Sequence, residues 1–448
     1  MMRIPKTPPK AWEFEGFEGG EAIRLSQTPE CAEFIADANR KYLHWDKLRY
    51  YPRPDAIESA EAAWYLVWLS RTFQRSSLGL DIGVGSPSVW MPPHHQKWIH
   101  FIDQNAGGSI STVADNHPYD SERYLVNSLM EEAIASSQLE GATTTRVIAK
   151  RMLRSKRKPK DRAERMIRNN YNAILEIREL KGDKLTPDMM KHIQEIITDQ
   201  TLDDPSAAGR FRNGDDHVTV VDNYDNVVFD PPPFKYVEAY VEAICKFANE
   251  TSGEFVHPVI KAIAIHFAIG YTHPFVDGNG RTARALFYWF MLKNGYWLFE
   301  YLPISRIFLN APVKYAKAYL HTETDNCDLT YFSDYHLKVV VRAIEELHKY
   351  LAEQARATKE ARDLLSGWSD TLNHRQTALV HDAVKHPGKD YTISDHAGTY
   401  NVAKATARAD LLELKDLHLF SMEKEGNKLV FAPLKRIVSK LKARLPKD

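Results

Sequence analysis

His273-Pro274-Phe275-Val276-Asp277-Gly278-Asn279-Gly280-Arg281-Thr282-Ala283-Arg284 decides how this chain is read. Twelve residues hold an imidazole, a carboxylate, two glycines, an amide and two guanidinium groups. Apolar Ile260, Ile263, Ala264, Phe267 and Tyr271 precede the run at three- and four-residue spacing. That spacing predicts a helix from Pro258 to Tyr271, with Pro258 at a first helical position. Ala285, Phe287, Tyr288, Phe290 and Met291 predict a second helix from about Arg281 to Leu292. The run is then the loop of a helix–loop–helix. Gly278 and Gly280 let the backbone turn sharply and approach a ligand. Backbone N–H groups opening the second helix face that ligand and favour an anion. Arg281 and Arg284, three apart, share one face, and their planar forks suit phosphate oxygens. Asp277 is a hard oxygen ligand of the kind that holds Mg²⁺ against phosphates. His273 titrates near neutral pH and can take a proton. The loop reads as a polyphosphate site.

The same residues fill every specified position of the signature His-x-Phe-x-Asp/Glu-Gly-Asn-Gly-Arg-x-x-Arg. In this the chain resembles the Fic (filamentation induced by cAMP) family. The resemblance implies a mainly α fold, a helical bundle with a small β-hairpin flap. It also implies transfer of AMP from ATP to a Ser, Thr or Tyr hydroxyl of a protein, which makes ATP and Mg²⁺ the expected small molecules. By resemblance His273 is the general base and Asp277 holds Mg²⁺. Gly278, Asn279, Gly280 and Arg281 cradle the phosphates, Arg284 holds the γ-phosphate, and Phe275 is a buried anchor. Tyr315 stands where the family often has paired tyrosines near the base of the nucleotide; here the next residue is Ala316.

Residues 121–141, SERYLVNSLMEEAIASSQLEG, predict a helix with Ser121 as its N-cap and Leu125, Leu129 and Ala133 in one row. Ser136 and Glu140 are four apart, so the hydroxyl can steady the carboxylate. The segment resembles the Fic inhibitory motif Ser/Thr-x-x-x-Glu-Gly/Asn, placed N-terminal to the catalytic motif. The resemblance implies that Glu140 pairs with Arg284 and blocks the productive γ-phosphate position. Between the motifs, Gly209-Arg210-Phe211-Arg212 precedes a predicted hairpin over 217–230. Val218, Thr219, Val220 and Val221 form its first strand, Asn223 to Asn226 its turn and Val227 to Phe229 its return, stopped by Pro231-Pro232-Pro233. In the family this flap aligns a target peptide by strand addition.

Composition agrees. Lys+Arg and Asp+Glu balance at 59 each across 448 residues, which argues against nucleic-acid binding by the chain as a whole. Cys31, Cys245 and Cys327 are far apart and odd in number, against a disulfide framework or zinc site and for a reducing, cytoplasmic setting. No apolar run is long enough for a membrane span, and the N-terminus lacks the apolar core of a signal peptide.

Three regions are expected: an N-terminal helical region over 1–115, the Fic core over 116–352 and a smaller domain over 371–435. Helices are predicted at 29–49 and 56–76, followed by a looser stretch from Gly79 to Gly108. His94, His95 and His100 lie in that stretch with no cysteine or carboxylate pattern to make a metal site. The basic run from Arg151 to Arg162 reads as a solvated face. The C-terminal pattern resembles a winged helix. Its helices are predicted at Asn373–His386, from Thr392 and at Val402–Leu414, and its wing from Phe420 to Phe431 with Gly426-Asn427 at the tip. With 14 Lys+Arg against 9 Asp+Glu over 371–448, and Thr399, Asn401, Lys404 and Arg408 assigned to the third helix, DNA is one candidate partner. The expected reading is a self-inhibited protein adenylyltransferase acting on another protein or on itself, with a homodimer as one assembly to test. The alternatives are a different nucleotide-type donor, AMP removal, or a DNA-binding regulator whose Fic unit senses a nucleotide.

Overall fold

Apolar residues recur at helical spacing along most of the chain, and the computed structural model is accordingly helical almost throughout. It describes residues 4–18, 20–83, 86–107, 121–221, 226–250, 254–368, 371–386, 388–425 and 428–443. The described residues fall into two units, those of 1–116 and 122–344 and those of 117–121 and 345–448.

The first unit begins with α1 (Glu21–Ser26), α2 (Pro29–Arg40), α3 (Trp45–Leu48) and α4 (Ala60–Thr72). They enclose Phe34, Ile35, Trp64, Leu66 and Val67. The single helix expected over 29–49 is broken. Tyr42 turns with a left-handed φ of 43° and its hydroxyl donates to Asp328 at 2.6 Å. A short strand pair follows, β1 (Ser76–Ser77) with β2 (Ser88–Val89). The looser stretch expected from Gly79 to Gly108 is corrected by α5 (Pro93–Ala106), which starts at a proline and buries His95, Ile99, Ile102 and Ala106. The carboxylate missing from the local sequence is Asp334. Its Oδ1 lies 3.2 and 3.3 Å from Nε2 of His94 and His95, and its Oδ2 pairs with Lys338 at 2.6 Å.

The core contains α6 (Ser121–Leu139), α7 (Arg146–Arg154), α8 (Arg162–Glu179) and α9 (Pro187–Thr198). The hairpin β3 (Val220–Val221) and β4 (Val227–Phe229) comes next, then α10 (Val237–Asn249), α11 (Pro258–Thr272) and α12 (Asn279–Lys293). The side chain of the expected cap Ser121 and the turn at 222–225 lie outside the described residues. Helices α11 and α12 are buried around nearly their whole circumference, so they form the centre rather than one side of the bundle. α12 packs against α8, α9 and α11. After α13 (Ile304–Asn310) and α14 (Pro312–Thr324), α15 runs from Thr330 to Leu365. Buried Arg71 donates to Tyr331 on α15 at 2.8 Å and to Asn39 on α2 at 2.9 Å, stitching the N-terminal helices to this core.

The second unit has its own apolar core, including Leu379, Val380, Tyr391, Leu411, Leu414, Phe420 and Phe431. Its order is α16 (His374–Lys385), β5 (Tyr391–Thr392), α17 (Ile393–Tyr400), α18 (Lys404–Asp416), β6 (Phe420–Glu425), β7 (Lys428–Pro433) and α19 (Ile437–Ala443). The strands pair in the order β5-β7-β6, with Phe431 between Tyr391 and Met422. Asn373 caps α16 in a capping box with Gln376. The turn at Gly426-Asn427 lies outside the described residues. Thr399 belongs to α17 and Asn401 to the left-handed turn after it, so only Lys404 and Arg408 of the four polar residues lie on α18. Asp410 accepts from Asn373, Arg375 and His396, which joins α18 to α16 and α17. Asp410→Ala leaves those donors unpaired. We expect it to destabilise this unit by about 3 kcal/mol, read as an earlier urea transition of the full chain.

Candidate active site

α11 ends where the chemistry begins. His273 is its C-cap and takes a left-handed φ of 44°, unusual for a residue with a Cβ. The strained turn is held by Arg212, whose Nε donates to the His273 carbonyl at 2.7 Å and whose Nη2 donates to the Thr272 carbonyl at 3.2 Å. The Arg212 N–H donates to the Pro274 carbonyl at 2.9 Å. Gln194 on α9 donates to the Asp277 carbonyl at 3.1 Å and accepts from Gly209 N–H at 2.7 Å. Arg212→Ala orphans buried carbonyls around the turn. We expect a loss of about 2 kcal/mol, measured by thermal unfolding, with faster hydrogen exchange at the loop. Lys should not rescue it, because one ammonium cannot replace a planar fork.

The imidazole Nδ1 of His273 faces the Gly270 carbonyl. A proton on Nδ1 satisfies that contact and leaves the Nε2 lone pair as the base. Burial lowers the imidazole pKa against the opposing pull of the Gly270 carbonyl and Glu140. The ring is therefore neutral and ready to accept a proton at pH 7.

The loop then turns on Gly278, whose φ of 86° puts α12 into register behind it. Phe275 is fully buried, its ring 5.3 Å from that of Phe211. The Asn279 side chain closes the loop on itself: its Oδ1 accepts from Phe275 N–H at 2.9 Å and its Nδ2 donates to the Phe275 carbonyl at 2.8 Å. Asn279 thus shapes the cradle with its side chain, and its backbone opens the helix. Arg281 is fully buried, donating to the Ile197 carbonyl at 3.2 Å and to Asp277 Oδ1 at 3.3 Å. Asp277 also accepts from Gly278 N–H, and its side chain is 40 % exposed.

Arg284 is engaged from α6. Its Nη2 donates to Glu140 Oε1 at 2.8 Å and to the Ser136 carbonyl at 3.0 Å, and its Nε donates to the Ser136 hydroxyl at 2.8 Å. The hydroxyl expected to steady Glu140 is turned to the arginine instead, because Glu140 lies just past the last helical residue, Leu139. Burial works to raise the Glu140 pKa, but Arg284 and Arg281 outweigh it and the carboxyl ends up below its ordinary value. A Cβ on Gly280 would come within 2.3 Å of Glu140 Oε1. The carboxylate therefore lies against the backbone of the first turn of α12, an anion seat. Glu132, two turns earlier on α6, anchors that helix by accepting from Tyr288 Oη at 2.8 Å and Ser305 N–H at 2.9 Å.

A cavity of about 220 Å³ opens over this seat, lined by Glu140, His273, Gly280 and Arg284 on one side and by α14 on another. Val220, Val228 and Phe229 of the hairpin line it too, and the Phe229 ring lies 5.3 Å from that of Tyr271 on α11, tilted by 46°. The first strand is shorter than expected: Val220 and Val221 pair with Phe229 and Val227, while Val218 and Thr219 precede it. A register irregularity between Val220 and Val221 limits the pairing. Tyr315 lines the cavity with its hydroxyl 2.8 Å from His266 Nε2, beside Arg284 rather than far from the phosphate seat.

Residues 184–291 match the family model described as Fic/DOC family. These residues are a Fic domain. The matched segment carries the whole run from His273 to Arg284, all of α11 and α12 as far as Met291. The chain is 33% identical over 117 residues to protein adenylyltransferase fic-1 of Caenorhabditis elegans, covering 24% of this chain and 22% of that protein. It is 25% identical over 218 residues to protein adenylyltransferase Fic of Nematostella vectensis, covering 45% of this chain and 46% of that one. The chain therefore spans less than half the length of these curated relatives. A Fic family protein from Desulfovibrio desulfuricans G20 superposes with a TM-score of 0.49 at 17% identity, over 77% of this chain and 97% of that one.

Arg212, Gln194 and Glu132 escaped the sequence reading as functional supports. Each acts across a distance in the chain, and nothing in its local pattern marks its partner.

Proposed function

We propose that the Fic domain is a protein adenylyltransferase, moving AMP from ATP to a Ser, Thr or Tyr hydroxyl of a protein. The observation that carries this is the neutral His273, its Nδ1 turned to the Gly270 carbonyl, standing beside an anion seat at the start of α12. The target hydroxyl gives its proton to His273 Nε2 as its oxygen bonds to the α-phosphorus. The bond from that phosphorus to the bridging oxygen breaks, and pyrophosphate leaves. The backbone at Asn279 and Gly280, with the arginines, holds the phosphate charge. The relatives in Caenorhabditis elegans and Nematostella vectensis are named protein adenylyltransferases, which supports the reading. Incubating the full chain with labelled ATP and a cell lysate, with mass spectrometry of labelled proteins, tests it. Absence of any AMP-modified residue would reject it.

Mg²⁺ fits the site: Asp277 offers one hard, partly exposed carboxylate, and the phosphates supply the remaining oxygens. The ion supplies charge neutralisation on the phosphate oxygens when bound. Asp277→Ala is expected to lower transfer at least about 100-fold and to abolish its response to added Mg²⁺. Equal activity in a chelator would show that no metal is used.

Self-inhibition belongs to the same proposal, because Glu140 holds the guanidinium that would meet the γ-phosphate. The hairpin, with Val221 and Val227 exposed, is the proposed place for a target strand. The order α16, β5, α17, α18, β6 and β7 supports reading the second unit as a winged helix, and Lys404 and Arg408 are exposed on α18. DNA is its proposed partner, tested by gel shift with genomic fragments. No described helix is long and apolar enough to cross a membrane, and a cytoplasmic location is proposed on the three free cysteines.

A further inference from the structure

Two adjacent histidines and a distant carboxylate converge in a place the chemistry above does not use. His94 and His95 stand in the first turn of α5, and Asp334 on α15 comes 240 residues after His94. Neighbours on a helix do not face each other, yet both imidazoles meet one atom. Their Nε2 atoms lie 3.2 and 3.3 Å from Asp334 Oδ1. All three donor atoms fall within 4.8 Å of one another. His95 is fully buried, and its Nδ1 has no hydrogen-bond partner among the described residues. No bond on the far side of that ring therefore commits Nε2 to carrying the proton.

The distances favour an ion over hydrogen bonds alone. A charge-assisted N–H···O bond to a carboxylate is usually closer, at about 2.7–2.9 Å. Donor atoms about 2.05 Å from a tetrahedral zinc ion stand about 3.3 Å from one another. Trp98 braces both rings, its centroid 4.9 Å from that of His94 and 5.6 Å from that of His95. The other carboxylate oxygen, Oδ2, accepts from Lys338 Nζ at 2.6 Å, a bond from behind of the kind that orients a ligating carboxylate. Lys338 is half exposed, so its ammonium can swing into water as the ion arrives. The His94 side chain is 22 % exposed, which gives the ion an entry and leaves the fourth position to water.

We propose that His94, His95 and Asp334 bind a zinc-class divalent ion, which fastens α5 to α15. Two imidazole nitrogens and one carboxylate oxygen suit Zn²⁺ and its transition-metal neighbours, whereas Mg²⁺ prefers oxygen donors throughout. The donor set therefore differs in kind from the Mg²⁺ position proposed at Asp277. The helix it fastens supports the catalytic one. Phe332, two residues before Asp334, sets its ring 5.5 Å from that of Phe267 on α11.

The test is a Zn²⁺ titration of the full chain against a chromogenic zinc indicator. The chain carries Asp277→Ala, is freed of metal by a chelator and dialysed, and is kept in excess Mg²⁺. It should take up one tight equivalent of Zn²⁺ and unfold at a higher temperature with the ion than without it. Asp334→Asn and His94→Ala should each weaken that equivalent at least about 100-fold, as the loss of a ligand costs no less than the loss of its orienting bond. Both should lose the thermal shift. His100→Ala, at an exposed histidine of the same helix, should change neither. Co²⁺ in place of Zn²⁺ should give the visible absorption of a tetrahedral ion, and Asp334→Asn should lack it. A chain that binds no Zn²⁺, or an equivalent that survives both ligand variants, would overturn the proposal. Equal loss in His100→Ala would place the ion elsewhere on α5 and overturn it as well. Should Asp334→Asn fail to fold, His94→Ala, at its partly exposed position, decides alone.

Discussion

His273→Ala is expected to cut AMP transfer by about 100- to 10,000-fold, the usual contribution of a placed general base, while ATP affinity stays within a few-fold. The separation follows from the geometry. On the proposed roles the imidazole would take a proton from the incoming hydroxyl, whereas the phosphates would be held by the start of α12 and by the buried Arg281 and Arg284. The clamp on the turn is kept in alanine, since Arg212 grips the backbone at residue 273 and not its side chain. Single-turnover transfer with labelled ATP, beside calorimetric titration of ATP, distinguishes the two effects. Loss of ATP binding with transfer intact would reject the assignment.

Glu140→Gly is expected to raise self-modification or transfer by about 10- to 100-fold, a coupling of ordinary allosteric size. Glu140 Oε1 now takes Arg284 Nη2 at 2.8 Å and lies on Gly280, where a phosphate oxygen would lie. Removing it frees both the arginine and the seat, and shifts the population toward the competent state. The helix that carries it keeps its anchor at Glu132. Adding Arg284→Ala to Glu140→Gly should return activity toward the low starting level, because the gain depends on the released guanidinium. A folded Glu140→Gly protein no more active than the parent, at saturating Mg²⁺, would end the self-inhibition reading. A parent that removes AMP from a modified target, where Glu140→Gly cannot, would make Glu140 the residue that serves the reverse reaction.

Much of this was legible in the linear sequence because the determinants are local. His273 to Arg284 lie within one loop, so their spacing alone sets which groups converge. Helices α11, α12 and α6 were visible from apolar periodicity, with Pro258 marking the start of α11, while α12 begins at Asn279, two residues before the expected Arg281, because Gly278 takes the left-handed cap. The hairpin was visible from β-branched residues, although its first strand shrank to Val220 and Val221 because the pairing shifts there. The stretch before Gly108 misled in the other direction. Its Gly, Ser and Pro content reads as loop, yet Pro93 starts α5 and Asp334, far along the chain, holds His94 and His95.

The sequence by itself determined the catalytic loop, the helical class and the candidate inhibitory glutamate, since each is written in residues a few positions apart. Only the tertiary structure decided which partner each group has. It turned Ser136 to Arg284 rather than to Glu140, directed the Asn279 side chain to Phe275, and clamped the His273 turn with Arg212. It also left Glu323 Oε2, on the wall of the cavity, without a hydrogen-bond partner among the described residues. The reason is physical: spacing along a helix sets the face a side chain occupies, but its hydrogen-bond partner, its burial and hence its charge depend on what another element brings against that face.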